Sequence, residues 1–262
     1  MHEIINLEIY PLDRPGCAEW QALVEQCRAD LVANGMFNLE GLMHADLAAR
    51  EVAGLMPLFE HESFCHERAH NIYFLKTIDG LARDHPALTQ YQTSNQTLCA
   101  DQLTKSALSR LYEWPEFSHF LAATMQMPEL HVMADPLARM NVMSYHQGQA
   151  LNWHFDRSEF TTTLLLQAPD EGGDFEYRSN LRSADDPNYE GVARMLLGKD
   201  PEVQHLHLTP GTLNVFKGRN TAHRVTPVEG PNPRVIAVFS YYDRPGVMFS
   251  EPERIGFYGR PE

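Results

Sequence analysis

The spacing of apolar side chains divides the chain into two halves of different character. In the first half, Trp20, Val24, Cys27 and Leu31 recur at the spacing of one helix face, which predicts a helix over 17–33. Similar patterns predict helices over 45–56, 106–112 and 116–125, and Pro57 is expected to end the first of these. A short apolar run between glycines at 35–39 predicts a strand. We therefore expect residues 1–137 to form a mainly helical support with a strand or two, part of which can act as a lid.

From about residue 138 the pattern changes to short alternating or β-branched runs. They predict eight strands, at 139–145, 151–156, 161–167, 175–178, 203–208, 212–216, 223–228 and 234–242. Glycine- and proline-containing turns separate them, and 189–197 predicts a helical insert. This pattern indicates an α+β fold whose core, 138–245, is a double-stranded β-helix of the jelly-roll or cupin-like type. We expect 246–262 to be a C-terminal tail and 1–262 to form a single domain.

Composition narrows the classes of partner. Acidic residues outnumber basic ones by 35 to 21, which gives a formal charge of -14 and disfavours a nucleic-acid partner. No apolar run approaches the roughly 18 to 20 residues that span a bilayer, and residues 1–11 lack the features of a signal peptide. The four cysteines have no CxxC spacing, so we interpret them as reduced thiols. The expectation is a soluble cytoplasmic protein that contacts neither membrane nor nucleic acid.

The triplet His154-Phe155-Asp156 is the main candidate for chemistry. On a strand, His154 and Asp156 would point to one face and Phe155 to the other. With His223 from a distant strand, they predict a two-His-one-carboxylate triad, which suits non-haem Fe(II). The alternative is a structural pair of histidines. His66 and His70, four residues apart, are expected at a helix end without a metal role, because no second ligand pair follows them.

A cationic residue, Arg234, is the next candidate for the site after the triad. Arg234 lies 11 residues beyond His223 on the next predicted strand. A guanidinium on the inner wall of the barrel can bind one carboxylate of a dicarboxylate bidentately while the other end of that molecule chelates iron. The alternative for Arg234 is a strand-edge arginine paired with a surface acid.

These residues carry a family resemblance. The run Tyr145-x-x-Gly148-x5-His154-x-Asp156, followed by residues 211–216, His223-Arg224-Val225 and Pro233-Arg234, resembles the Fe(II)/2-oxoglutarate-dependent dioxygenases related to prolyl hydroxylases. Residues 153–167, Gly172-Gly173 and 257–260 are more narrowly similar to bacterial members that hydroxylate or halogenate free amino acids. The resemblance implies Fe(II), 2-oxoglutarate and O2 as requirements, with succinate and CO2 as products. It also implies His154, Asp156 and His223 as catalytic iron ligands, Arg234 as the 2-oxoglutarate anchor and Tyr145 as a second donor to that cosubstrate.

The same resemblance distinguishes two reactions. Halogenases of this group have Gly or Ala in place of the metal-binding carboxylate, so that halide can occupy the position. Asp156 is present in this chain. We therefore expect an oxygenase that hydroxylates an unactivated C–H bond of a small molecule. A free amino acid is the expected substrate.

Substrate contacts and two other functions stay open. Arg157 follows the metal ligand, Asn152 shares the strand parity of His154, Asn141 shares that of Tyr145, and Arg68 lies in a segment that could form a lid. Each could equally be solvated or bonded to nearby backbone. One alternative function is a 2-oxoglutarate oxygenase that acts on a carrier-bound, peptidyl or other metabolite, with desaturation or epimerisation as the outcome. The other is a non-catalytic metal-binding jelly roll.

Overall fold

The computed structural model describes all 262 residues and contains six α-helices and fifteen β-strands. The helices are α1 (Ala18–Ala33), α2 (Ala45–His61), α3 (Ala107–Tyr112), α4 (Pro115–Thr124), α5 (Tyr189–Leu196) and α6 (Glu251–Tyr258). The strands are β1 (Met36–Leu39), β2 (Phe64–His70), β3 (Tyr91–Leu98), β4 (His131–Val132), β5 (Met140–Tyr145), β6 (Leu151–His154), β7 (Thr161–Gln167), β8 (Glu171–Gly172), β9 (Phe175–Arg178), β10 (Gln204–Leu206), β11 (Leu213–Phe216), β12 (Ala222–Val225), β13 (Val228–Glu229), β14 (Arg234–Phe239) and β15 (Tyr241–Tyr242). None of the helices combines the length and the apolar character needed to cross a membrane.

Two antiparallel sheets form the core of the molecule. The larger has seven strands in the order β1-β11-β7-β14-β5-β3-β2, and the smaller has four in the order β10-β9-β12-β6. Met36 and Phe216 from the larger sheet pack against Phe175 and Val225 from the smaller one. The sheets therefore face each other across an apolar layer, and the predicted α+β fold with a jelly-roll core is confirmed.

The first half of the chain contributes more strand than the sequence indicated. β1 pairs with β11, and β2 pairs with β3, which in turn pairs with β5, so three early strands complete the larger sheet. The expectation that His66 and His70 lie on a helix is wrong, since both lie on β2. Seven consecutive cross-strand pairs join β2 to β3. This ladder pairs one side of the backbone of 64–70 with β3 and decides the conformation over any local helical spacing.

Helix α2 continues through Pro57, although the sequence predicted that it would stop there. The helix runs to His61 with Pro57 inside it. Proline removes one backbone hydrogen bond, but Leu55 and Phe59 extend the buried stripe begun by Ala48 and Val52. Burial of a large apolar side chain contributes about 1.5 to 3 kcal/mol, which is enough to offset much of the local cost.

Side chains along the central strands point alternately towards the helices and into the space between the sheets. On β14, Val235, Ala237 and Phe239 belong to the large core beneath the helices, whereas Ile236 belongs to a separate cluster that includes Tyr145. Because side chains on a strand alternate between faces, Arg234 lies on the face of Ile236 and points between the sheets. The buried stripe predicted for α1, from Trp20 to Leu31, packs on the opposite face.

The C-terminal segment is anchored by a buried aspartate. Asp135, which is fully buried, accepts hydrogen bonds from the backbone N–H groups of Leu137, Ala138 and Phe249 and from Arg254 Nε at 2.8 Å. Burial raises the pKa of this carboxyl, but the Ala138 N–H, Arg254 and the other donors together hold the pKa below its ordinary value. The segment predicted as a tail is thus fastened to the body of the protein, and it contains α6.

Replacement of Asp135 by Asn should make the protein less stable and less sensitive to acid. A folded-state pKa below the unfolded value of about 3.9 gives stability that is present at neutral pH and is lost as pH falls through the folded pKa. We expect Asp135→Asn to lower the free energy of unfolding at pH 7 by about 1 to 3 kcal/mol. The loss should shrink towards pH 3. Urea unfolding at several pH values measures both effects, with the exposed Asp243→Asn as the control. An unchanged acid slope would contradict the assignment.

Candidate functional site

His154 and His223 are cross-strand neighbours in the smaller sheet. His154 ends β6 and pairs directly with His223 on β12, and their ring centroids are 4.1 Å apart. The Nδ1 of His154 lies 2.8 Å from the carbonyl oxygen of Asn152, and that of His223 lies 2.9 Å from the carbonyl oxygen of Thr221. A carbonyl can only accept, so each Nδ1 carries the proton. Both Nε2 lone pairs are therefore available for a metal.

Asp156 reaches the histidines from a loop and not from a strand. The prediction that β6 continues to Asp156 is wrong, because the strand ends at His154 and the Asp156 N–H donates to the carbonyl oxygen of Gly218 at 3.1 Å. Its Oδ1 lies 3.3 Å from His154 Nε2 and its Oδ2 lies 3.4 Å from His223 Nε2. One ligand atom from each of the three residues lies within 4.8 Å of the others. The predicted triad is thus gathered at one point.

The protonation states of the triad suit a divalent metal ion. Burial, helped by the neighbouring His223, lowers the pKa of His154, so its ring is held neutral. Burial acts to raise the pKa of Asp156, but His223 and His154 hold that pKa well below its ordinary value. Two imidazoles and one carboxylate are donors that Fe(II) accepts, and cis ligands of an octahedral ion lie about 3 Å apart when its bonds are about 2.1 Å. The residues present therefore fit the implied metal.

A buried hydrogen-bond chain orients His154 from behind. His70 Nε2 lies 2.7 Å from Thr93 Oγ1, which accepts the backbone N–H of Asn152 at 3.0 Å. The carbonyl oxygen of Asn152 in turn accepts the Nδ1 proton of His154. Because β2 carries His70 and β3 carries Thr93, the early strands position a candidate metal ligand that belongs to the second half of the chain.

Gly218 and Thr161 hold the carboxylate. Thr161 Oγ1 donates to Asp156 Oδ2 at 2.5 Å, whereas Oδ1 is the oxygen that lies 3.3 Å from His154 Nε2. A Cβ at position 218 would lie 2.5 Å from Thr161 Oγ1 and 2.9 Å from Asp156 Cβ. Both contacts are far below van der Waals distance. Only glycine therefore fits behind Asp156.

Gly218→Ala should weaken metal binding while the fold persists. The added methyl group must displace the Asp156 side chain, and loss of an outer-shell support typically costs about 10- to 100-fold in metal affinity. Competition against a chelator measures the affinity, and circular dichroism checks the fold. Gly54→Ala is the matched control, because a Cβ there meets nothing within 4 Å. Equal metal affinity in both variants would contradict this role for Gly218.

Arg234 and Tyr145 face the space between the sheets as a directly opposed pair. They pair in register on β14 and β5, are 3% and 1% exposed, and place the guanidinium carbon 5.9 Å from the Tyr145 ring centroid. Arg234 forms no salt bridge, and burial lowers its pKa while Tyr145 and Asp174 act against this from a distance. The Tyr145 hydroxyl has only the sulfur of Met143 as a partner, at 3.6 Å. Buried donors without oxygen partners are expected where an anionic ligand binds.

Phe175 connects Arg234 to the histidines. It lines the narrow pocket that contains Arg234, and its ring centroid lies 5.7 Å from that of His223. Phe216 covers another side of His223, with ring centroids 4.8 Å apart. Phe175 therefore lies between the pocket of Arg234 and His223, so that the arginine pocket and the triad adjoin each other across one aromatic ring.

A cleft of about 480 Å³ opens on the other side of Asp156. Its cationic lining consists of Arg157, Arg182 and Arg219, and its aromatic lining of Tyr73, Phe74 and Phe155. Phe74 has a positive φ of 58°, which is unusual for a bulky residue, and its ring stands edge-on to His154 at 6.1 Å between centroids. Asn71 holds this turn by accepting the N–H groups of Tyr73 and Leu75 at 3.1 Å each. The cleft reaches the triad at Asp156, which forms part of its lining.

The four candidate substrate residues have different surroundings. Arg157 lines the cleft, but its guanidinium forms a salt bridge with Glu253 at 2.8 Å. Arg68 is exposed on β2, with its guanidinium carbon 4.9 Å from the Phe74 ring centroid. Asn141 is bonded inside the protein, since its Nδ2 donates to the Leu137 carbonyl oxygen and its Oδ1 accepts the Tyr258 hydroxyl. Asn152 Nδ2 donates to the Gln92 carbonyl oxygen at 2.5 Å.

Several residues of the site were not found from the sequence. Arg182 and Arg219 are single arginines in loops, a context that carries no signal by itself. His70 was noticed but placed on a helix, and Phe155 was expected to face away from the metal cavity. The signal for Gly218 is its position in a turn just before His223, which indicates a tight turn but not the approach of Asp156.

Solved structures share this fold. An oxidoreductase of the 2OG-Fe(II) oxygenase family from Burkholderia pseudomallei has a TM-score of 0.51 and 15% identity, over 86% of this chain and 92% of that one. The non-haem alpha-ketoglutarate-dependent epimerase SnoN from nogalamycin biosynthesis has a TM-score of 0.57 and 16% identity, over 85% and 84% of the two chains. A Pseudomonas putida prolyl-4-hydroxylase has a TM-score of 0.52 and 14% identity, over 84% and 99%. The chain therefore has the fold of the 2OG-Fe(II) oxygenases.

The sequence itself matches one family. No protein of curated function matches it. The sequence model of Halogenase D (HalD) matches residues 21–247, a span that contains the triad, Arg234 and the cleft. The chain belongs to the Halogenase D family.

Proposed function

We propose that the protein is an Fe(II)- and 2-oxoglutarate-dependent oxygenase that hydroxylates an unactivated C–H bond of a small molecule. A free amino acid is the substrate that we propose first. The observation that carries this proposal is the position of Asp156 beside the paired histidines, with the unpaired Arg234 in the adjoining compartment. The triad supplies metal ligands, and the arginine supplies a partner for a dicarboxylate.

Each residue has a definite task in this proposal. His154 Nε2, His223 Nε2 and the Asp156 carboxylate would hold the iron, while Arg234 would bind the far carboxylate of 2-oxoglutarate and Tyr145 would donate a hydrogen bond to it. When bound, iron and 2-oxoglutarate supply the oxidising power for the C–H bond, with succinate and CO2 as products. Phe175 and Phe216 exclude water from the side of His223, and the cleft residues orient the substrate carbon.

Asp156 favours hydroxylation over halogenation within a family named for a halogenase. By the resemblance described above, halogenases of this group have Gly or Ala at this position so that halide can occupy the metal site. In this chain the carboxylate lies 3.3 Å and 3.4 Å from the two histidine Nε2 atoms, where a halide would have to bind. Product analysis in the presence of chloride tests the choice, because halogen gain would replace oxygen gain in the mass spectrum.

Two alternatives follow from the fold. One is an oxygenase that acts on a carrier-bound, peptidyl or other metabolite, with desaturation or epimerisation as the outcome, and SnoN is an epimerase of the same fold. The other is a non-catalytic jelly roll with a structural metal. The unpaired buried Arg234 favours a cosubstrate over the second alternative, since a structural metal site does not require it.

Anaerobic addition of Fe(II) and 2-oxoglutarate is the first test. The expected result is a coloured chelate that absorbs visible light and bleaches on exposure to O2. A screen of the proteinogenic amino acids should then give substrate-dependent succinate, and the product should gain one oxygen atom. Loss of two hydrogens would support the desaturation alternative. No chelate, together with no succinate from any amino acid, would remove the case for an oxygenase.

A further inference from the structure

Two arginines beside Asp156 form no salt bridge with an acidic side chain. Arg182 and Arg219 line the cleft, and neither forms a salt bridge. Their hydrogen bonds go to backbone carbonyl oxygens: Arg182 Nε donates to that of Arg219 at 2.6 Å, and Arg219 Nη2 donates to that of Arg157 at 3.2 Å. A carbonyl oxygen satisfies one donor but carries no opposite charge. The pair therefore makes this part of the cleft cationic.

Arg157 differs from this pair. Its guanidinium forms a salt bridge with Glu253 on α6 at 2.8 Å and lies 5.6 Å from the Phe257 ring centroid. Its charge is engaged within the protein and joins the cleft wall to the C-terminal helix. Arg182 and Arg219 are left as the cations that can accept a ligand.

Arg182 is fixed in position before any ligand binds. Its guanidinium carbon lies 4.0 Å from the Phe155 ring centroid and 5.8 Å from that of Tyr73. The backbone N–H of Leu181 donates to the carbonyl oxygen of Asn220 at 2.9 Å, which ties the Arg182 loop to the loop of Arg219. Burial lowers the pKa of Arg182, and Arg219 acts in the same direction, whereas Tyr73 and Asp156 act against this shift. Bidentate recognition of an oxyanion gains from such a pre-oriented planar donor.

We propose that Arg182 and Arg219 form an anion-binding subsite that holds a carboxylate or phosphate group of the substrate beside Asp156. The inference rests on the proposed function, because the anion would belong to the substrate of that oxygenase. Apart from Asp156, which the metal would engage, the cleft lining has no carboxylate to receive a cationic group. The chain as a whole carries a formal charge of -14, so capture of an anion requires a local cationic site of this kind.

Anion titrations of the metal-free full chain test the subsite. The Nε–H signals of Arg182 and Arg219 are followed by 1H–15N NMR and assigned with the single variants. Inorganic phosphate and acetate are titrated separately, and the tighter of the two shows whether the subsite takes a phosphate or a carboxylate. We expect saturable shifts of both signals. Arg182→Gln, read at Arg219, and Arg219→Gln, read at Arg182, should raise the Kd by about 10-fold or more.

Two control variants locate the binding. Arg244→Gln, which removes an exposed arginine paired with Asp243, should leave the Kd unchanged, and so should Arg234→Gln. The absence of a saturable shift would overturn the subsite, as would binding that disappears only in Arg234→Gln, since the anion would then occupy the compartment between the sheets. Failure of the oxygenase proposal is read separately, from the absence of the coloured Fe(II) and 2-oxoglutarate chelate, which this titration does not use.

Discussion

Asp156→Ala should abolish hydroxylation while the protein stays folded. The substitution removes the carboxylate that lies beside the two histidines, and it leaves only two nitrogen ligands for a divalent ion. Loss of an outer-shell support costs about 10- to 100-fold in metal affinity or activity, so loss of a ligand should lower the turnover by at least about 100-fold. Substrate-dependent succinate formation and the visible chelate are the measurements.

The exposed Asp243→Ala is the matched control for this experiment. It removes an exposed aspartate whose partner is the exposed Arg244 and which has no contact with the triad in the salt bridges described above, and it should retain full turnover. Thermal unfolding of both variants separates loss of the site from loss of the fold. If Asp156→Ala kept full activity, the carboxylate ligand would be wrongly assigned.

Arg234→Gln should weaken 2-oxoglutarate binding without removing the metal. Each charge-assisted hydrogen bond contributes about 1.5 to 3 kcal/mol, so the Kd for 2-oxoglutarate should rise by about 10- to 150-fold. Arg234→Lys keeps the charge but loses the planar fork, and we expect an intermediate value. Titration of the chelate absorbance under anaerobic conditions gives the Kd, and metal analysis gives the iron content.

The stability of the Arg234 variant separates a binding role from a structural one. A buried cation without a partner costs free energy, so Arg234→Gln should leave the melting temperature of the metal-free protein unchanged or raise it. A cation that supported the fold would lower the melting temperature when removed. Such a fall, with an unchanged Kd for 2-oxoglutarate, would contradict the anchor assignment.

The sequence predicted the parts of the fold and site whose signals are local. Alternation located the strands that carry His154, His223 and Arg234, and helical spacing located α1 and the insert α5 within one or two residues. The strand series was enough to predict a jelly roll. These predictions succeeded because each depends on a period that the chain shows over a few consecutive residues.

The remaining features depend on pairings between distant segments. The conformation of β2 is decided by its ladder with β3, and no pattern within residues 64–70 reports that partner. The backbone N–H of Asp156 donates to the carbonyl oxygen of Gly218, which lies 62 positions away in the sequence. Arg182 Nε donates to the carbonyl oxygen of Arg219, 37 positions away. One sequence shows neither contact. The cleft was missed for the same reason.

The early strands β1, β2 and β3 limit what can be learned from a truncated form of this protein. A fragment that began at residue 138 would retain His154, Asp156, His223 and Arg234, yet it would lose the partners of β11 and β5 in the larger sheet. Two open edges would then offer unpaired backbone groups to other copies of the fragment, which is a recognised route to aggregation. Insoluble material from such a truncation would report the exposed edges and say nothing about the chemistry of the metal site.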